Sequence, residues 1–358
     1  MGTRATAGTC LEALVRMAAP LLREAERRCP RMGPGAKPAI PDWLIGLLIM
    51  VAVLKRRKSK SAQFRFLSDK PTRRSIAEAT GCEQFPSRST FFRRYKRAHQ
   101  LFRTAIRLQG EKAIAEGIAD PELVAVDKSL IAARGPLWHK GDRQTGSIPK
   151  GLHGVDQDST WSYSQHDGWV QGYSFEVLVT ATTGSTVFPL VASADTASAK
   201  ETQTCREKVA ALPENVHYVL ADSGYDSNEL AEQVEYDAED RRTGRRFLCP
   251  ENRRGSKSGR AASAPQPRDE HHRRRLQRRK FLKGATGRRL YARRGQTIEP
   301  FNDWFKGLFE LDQHVWHRGL DNNRTQMLAA IFAYQLLVRY NHRRGNRNGQ
   351  VKWIMDCL

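Results

Sequence analysis

The apolar pattern of this chain changes period near residue 120, and that change restricts the folds open to it. Before it, Leu11, Leu14, Val15, Ala18, Leu21 and Leu22 recur at helical spacing, and Pro41-Asp42 offers a start signal for the apolar run Trp43–Leu54. From Glu122 onward the texture becomes short β-branched runs: LVAVDKSLI, then WVQGYSFEVLVTATTGSTVFPLVAS, then VHYVLAD. The second reads as two strands joined at Thr182–Ser185. Lys200–Leu212 and Asn228–Tyr236 read as helices, and an apolar helix over Met327–Tyr340 is expected to pack on the core. The expectation is an all-helical domain over residues 1–118, an α/β domain with a mixed sheet over 119–345, and a tail over 346–358.

Charge limits the partners. The 358 residues carry 60 Lys and Arg against 38 Asp and Glu, a formal +22. Nucleic acid is the expected partner, because clustered cations release phosphate counterions on binding; a merely solvated basic surface is the alternative. The six cysteines, Cys10, Cys29, Cys82, Cys205, Cys249 and Cys357, form no CxxC pair. That argues against a zinc site or disulfide framework and for a reducing, cytoplasmic setting. Met1–Arg28 lacks the pattern of an export signal, and Trp43–Leu54 is too short to span a bilayer, so no membrane partner is expected.

Two basic stretches are candidates for DNA contact. Pro86–Thr90 leads into FFRRYKRAHQLFRTAI, read as a capped helix that sets Arg93, Arg94, Lys96 and Arg97 between Phe91, Phe92 and Tyr95. A solvated amphipathic helix has the same pattern. Between about 241 and 289 apolar periodicity is lost in RRGSKSGRAASAPQP and HHRRRLQRRKFLKG, expected to be an exposed insertion that tracks phosphates or a solvated charge run. A strand-like RRLYARR follows, then a helix from about Thr297.

Three carboxylates stand out in this basic chain. Asp127 lies inside a buried strand, where an ionised carboxylate is costly without a cation or donors. Asp222 ends VHYVLAD, and ligands in open α/β sheets gather beyond the carboxyl ends of strands. Glu299 is expected in a first helical turn, with Thr297 as cap and Pro300 tolerated beside it; Lys306 is two turns on, on the same face. Asp156, Asp158, Asp167, Asp195 and Asp226 compete for such a site, though Asp195, before Thr196 and Ser198, suits local capping. His314 and His317 have no third ligand at zinc spacing, so a surface or phosphate-contact role is expected.

With these frames in order, the stretch from about Leu123 to His342 resembles the DDE transposases of bacterial insertion sequences. The resemblance rests on Asp127 in VAVDKSLI, Asp222 in LADSGYDS, and Tyr291, Arg294, Glu299 and Lys306 in YARRGQTIEPFNDWFK. Four residues separate Arg294 from Glu299, where three are common. GLHGVDQDSTWSYSQHDGWVQGYSF is similar to the stretch joining the first two strands in these proteins.

The resemblance implies a ribonuclease H-like mixed sheet flanked by helices, after a helical DNA-binding segment. It implies cleavage of element ends and strand transfer to target DNA, with Asp127, Asp222 and Glu299 holding two Mg²⁺ (or Mn²⁺) ions. Tyr291, Arg294 and Lys306 would hold DNA, and a homodimer would bring two element ends together. The β-rich insertion of some relatives is expected to be absent between Asp222 and Glu299. A catalytically inactive DNA-binding descendant, or a host nuclease of the same fold, are the alternatives.

Overall fold

The computed structural model describes residues 7–29, 38–252, 269–347 and 349–358. Six helices come first: α1 (Ala7–Arg28), α2 (Asp42–Leu54), α3 (Lys60–Ser68), α4 (Lys70–Thr80), α5 (Arg88–Tyr95) and α6 (Ala98–Ala115). Every residue of α2 from Trp43 to Leu54 is buried, as befits a helix apolar on all sides. Ser59 and Ser87 accept from the backbone N–H of Ala62 (3.1 Å) and Thr90 (3.2 Å), capping α3 and α5. FFRRYKRAHQLFRTAI, expected as one helix, breaks at Lys96-Arg97 into α5 and α6. The break lets Phe91 and Tyr95 bury on one axis, and Leu101, Phe102, Ala105 and Ile106 on another.

The strands are β1 (Leu123–Ala132), β2 (Thr160–Ser164), β3 (Gly168–Thr180), β4 (Pro189–Thr196), β5 (Tyr218–Leu220) and β6 (Arg246–Leu248). α7 (Lys140–Thr145) lies between β1 and β2, α8 (Glu201–Val209) between β4 and β5, and α9 (Asn228–Glu235) between β5 and β6. They form one sheet in the order β2-β3-β1-β5-β6, with β4 also on β3. β3 is antiparallel to β1, β2 and β4, whereas β1, β5 and β6 run parallel, so the sheet is mixed.

After β6 come α10 (Glu270–Lys283), α11 (Ala285–Leu308), α12 (Leu320–Arg343) and α13 (Lys352–Cys357). α12 carries the expected apolar run and extends beyond it at both ends. It packs on α1, α2 and α6 on one side and on β3 and β4 on the other, so helices and sheet share one continuous core. Polar groups within that core are matched: Gln335 Nε2 donates to the carbonyls of Ile106 (2.9 Å) and Pro189 (2.8 Å), and Arg339 meets Glu116 and Gln109.

Two expectations fail after β6. RRLYARR is not a strand, and no helix begins at Thr297: residues 285–308 form the single helix α11, with Pro300 inside it. Thr297 is not a cap; its Oγ1 donates to the Arg293 carbonyl one turn back (2.7 Å). The buried stripe runs Gly287, Arg294, Thr297, Ile298, Phe301, Asn302, Phe305, Leu308, a helical period that its polar members disguise. HHRRRLQRRKFLKG is likewise helical, as α10, capped by Asp269 Oδ1 accepting from the His272 N–H (2.7 Å). RRGSKSGRAASAPQP lies outside the described residues.

Candidate active site

The parallel pairing of β1 and β5 builds the site. Ala125 is in register with Leu220, so two residues further along each strand Asp127 and Asp222 come level, on neighbouring paths about 5 Å apart. Asp222 leaves β5 as the start of a 3-10 turn, Ser223–Tyr225, and its Oδ1 accepts from the Gly224 N–H (2.8 Å). A Cβ at Gly224 would collide with the Glu201 carboxylate, which presses on this turn from the start of α8. Glycine therefore allows a fourth acid to approach.

α11 crosses β1 and supplies the rest. Arg294 Nη2 donates to Asp127 Oδ1 (2.8 Å) and lies 3.9 Å from Asp222 Oδ2, while its Nη1 donates to Glu299 Oε1 (3.0 Å). One guanidinium thus faces carboxylates from a strand, a strand end and a helix. Asn302 Nδ2 donates to the other Asp127 oxygen (2.8 Å). Side-chain exposure rises from 17% at Asp127 to 43% at Asp222 and 58% at Glu299, so the acids line a slope from core to solvent.

Electrostatics follow burial. Burial raises the Asp127 pKa to about 7, against the pull of Arg294, and the nearby Asp222 and Glu201 charges push the same way as burial. Burial alone would lower the Arg294 pKa; the surrounding acids, Asp127 first, raise it above its ordinary value. Arg294 Nε and Asn302 Oδ1 are buried without a hydrogen-bond partner. Among the described residues no group of three or more His, Cys, Asp and Glu side chains stands ready to hold a metal ion; here the guanidinium occupies the centre.

The other sequence candidates lie at varying distance from this cluster. Tyr291 is one turn before Arg294, and burial raises its phenol to about 12. Lys306 contacts none of the three acids; it lies 3.9 Å from Asp303 and within electrostatic reach of His166 and Asp167, at the turn between β2 and β3. Arg93, Lys96 and Arg97 are exposed on and just after α5, whereas Arg94 is committed to Asp42 and the Ile40 carbonyl.

The competing acids are spent elsewhere. Asp195 accepts from the Thr196 N–H (2.7 Å) and pairs with Arg324 (2.8 Å). Asp156 and Asp158 accept from Gly319 and Leu320 at the start of α12, and Asp226 pairs with Arg275 (3.0 Å). His317 is not on the surface: it is buried against the Tyr95 hydroxyl (3.0 Å), and burial lowers its pKa to about 3.

Residues 241–289 are not a merely solvated run where they are described. Arg274 and Arg278 of α10 pair with Glu232, Glu235 and Asp240, and Arg279 pairs with Glu251.

Sequence reasoning missed Asn302 and Glu201. Asn302 stands one turn beyond Ile298 on the face that carries Arg294, a signal available only once the helix is known to be continuous. Glu201 reaches the site through the packing of α8, which no local pattern records.

A family model described as a transposase DDE domain matches residues 118–336, more than half of the chain. No curated protein matches it. A solved structure of the piggyBac transposase synaptic complex with hairpin DNA is similar at 12% identity and a TM-score of 0.38, covering 99% of this chain and 79% of that one. That likeness is too distant to assign fold or function.

Proposed function

The chain belongs to the family of transposase DDE domains, and from that premise we propose that it cuts the ends of a mobile DNA element and joins them to target DNA at the Asp127, Asp222 and Glu299 carboxylates. The observation that carries this reading is the convergence of the three acids on one buried cation. A single guanidinium leaves this cluster with excess negative charge, and hard carboxylate oxygens are the donors that Mg²⁺ or Mn²⁺ prefers. The orphaned Asn302 Oδ1 adds one more hard oxygen beside Asp127. This donor set suits such ions, and the family resemblance implies two of them.

When bound, the ions supply Lewis-acid stabilisation of phosphoryl transfer and lower the pKa of the attacking hydroxyl. The chain's own residues do the positioning. Asn302 holds one Asp127 oxygen and the Gly224 N–H holds Asp222 Oδ1, so each carboxylate turns a defined edge inward. Arg294, once freed from part of its carboxylate load, would be a donor fork for a DNA phosphate. Tyr291 and Lys306, on the same helix, contribute a hydroxyl and a point charge to the DNA path.

The mixed sheet, with an antiparallel β3–β1 pair followed by parallel β5 and β6, supports a ribonuclease H-like core. Exposed Arg93, Lys96 and Arg97 support DNA contact by the N-terminal helices. Pairing of two element ends calls for a homodimer. The test is incubation of the purified protein with labelled element-end duplex and Mg²⁺. Nicked and joined products are expected from the wild type. D127N, D222N and E299Q should bind the duplex and leave it intact; cleavage by any of the three at the wild-type rate removes that residue from the site.

A further inference from the structure

One sizeable cavity is lined by none of the three acids. It has a volume of about 440 Å³ and lies where β6, the outer strand of the sheet, meets α10. Five arginines line it: Arg242, Arg245, Arg246, Arg274 and Arg278. They are not equivalent. Arg274 and Arg278 are neutralised by Glu232, Glu235 and Asp240, and Arg245 donates to the Leu212 and Pro213 carbonyls (3.2 and 3.0 Å). Arg242 and Arg246 are exposed and have no carboxylate partner among the described residues.

The aromatic groups here hold arginines and leave little for a base. Arg274 and Arg242 lie 3.8 and 5.8 Å from the Tyr236 ring centroid, and Arg246 lies 4.4 Å from that of Phe281. A guanidinium held by its face keeps its N–H edge free, and that edge matches the paired oxygens of a phosphate. The cavity also lies on the side of the sheet edge that leads towards the acids. A smaller cavity of about 20 Å³ shares Phe247 and Arg278 with it and adds Cys249, Asp226, and Arg275 and Arg279, which are paired with Asp226 and Glu251. Cys249 Sγ in turn contacts the Asp222 carbonyl (2.9 Å). From Arg246 to Cys249 is three residues of extended chain, roughly 10 Å.

We infer that Arg242 and Arg246 form an anion subsite for the DNA backbone, taking a phosphate a few nucleotides from the scissile one at the Asp127, Asp222 and Glu299 cluster. This rests on the DNA-cutting reading above, and it gives the basic segment a task distinct from that of the acids: it fixes the strand's register without touching the scissile bond.

The test compares wild type with the R242A/R246A double variant, whose side chains are exposed and whose loss leaves the core intact. Fluorescence anisotropy is read on two element-end duplexes, one ending at the cleavage position and one extending about six nucleotides past it on the flank that follows β6. The wild type is expected to prefer the longer duplex about tenfold, and the variant to lose that preference. Its slope of log affinity against log salt on the longer duplex should fall by about 1.8, two contacts at about 0.9 each. R242K/R246K should keep the slope. Equal affinity and slope for wild type and R242A/R246A overturn the subsite and leave the DNA-cutting reading standing. A wild type that binds neither duplex overturns both. Inorganic pyrophosphate provides the second arm: binding that the variant loses, with DNA affinity unchanged, assigns the cavity to a free anion and overturns the DNA assignment.

Discussion

The two faces of the β1–β3 pair each bury a charge, and they treat it in opposite ways. Lys128 is in register with Glu176, and Asp127 with Val177, so Glu176 and Asp127 lie on opposite faces of the pair. On the α8 face, Lys208 Nζ meets Glu176 at 2.9 Å, with the Ser193 hydroxyl at 2.7 Å and the Thr204 carbonyl at 2.6 Å. One cation meets one carboxylate and two neutral acceptors, so charge is matched one to one, although Glu176 Oε1 has no hydrogen-bond partner. On the α11 face one guanidinium meets three carboxylates. The first face holds the fold together; the second keeps excess negative charge, which a proton on Asp127 relieves in part and further cations balance. Buried charge alone does not mark a working site. Imbalance does.

The comparison breaks most sharply on activity. D127N, D222N and E299Q should each lower cleavage by about 1000-fold or more, equivalent to about 4 kcal/mol of barrier, while K208M, refolded and assayed below its unfolding transition, should cleave at close to the wild-type rate. Product formation on labelled duplex checks both.

Stability should show the reverse ranking. K208M leaves Glu176 buried and unpaired and should lower unfolding free energy by about 3–5 kcal/mol in urea titrations, with K208M/E176L recovering most of it. D127N should instead stabilise the metal-free protein by about 1 kcal/mol. The sign follows from the raised pKa: between pH 4 and 7 the folded state holds a proton on Asp127 that the unfolded chain releases, so stability falls as pH rises through that window. Asparagine removes that cost.

A group of the opposite kind separates these effects from general acid sensitivity. His317, with its pKa lowered to about 3 by burial, binds its proton only when the chain unfolds. Its contribution is intact above the unfolded value near 6.5 and is lost as pH falls towards 3, about 2 kcal/mol between pH 6.5 and 5. H317Q should flatten that part of the stability profile without changing cleavage at pH 8. The smallest effect concerns the N-terminal helices: R97A should reduce the salt slope of DNA binding by about 0.9, whereas R94A, whose side chain is committed to Asp42, should leave it unchanged and cost stability instead.

Part of this was legible without coordinates. Asp127 and Asp222 could be found because β-branched runs fix strands, and the polar residue that interrupts or ends such a run is conspicuous. Glu299 is legible through its frame, but the continuous helix that carries it is not. Thr297 reads as a cap with Pro300 tolerated in the first turn, and the polar members Arg294 and Asn302 break the visible apolar stripe of α11 into a strand-like piece and a shorter helix. Those same residues are the ones that touch Asp127, so the feature that hid the helix is the feature that builds the site. Glu201 and the pairing of α10 arginines with α9 acids depend on how distant segments pack, and no local spacing encodes them.

Iron-directed cleavage of the polypeptide tests the central claim most directly. Fe²⁺ replaces Mg²⁺ in the DNA-bound protein, peroxide generates hydroxyl radicals at the metal, and the cut sites are mapped by mass spectrometry. The account predicts cuts clustered around residues 127, 222 and 299 that disappear in D127N. Cuts scattered over other segments, or a pattern unchanged by D127N, would contradict it.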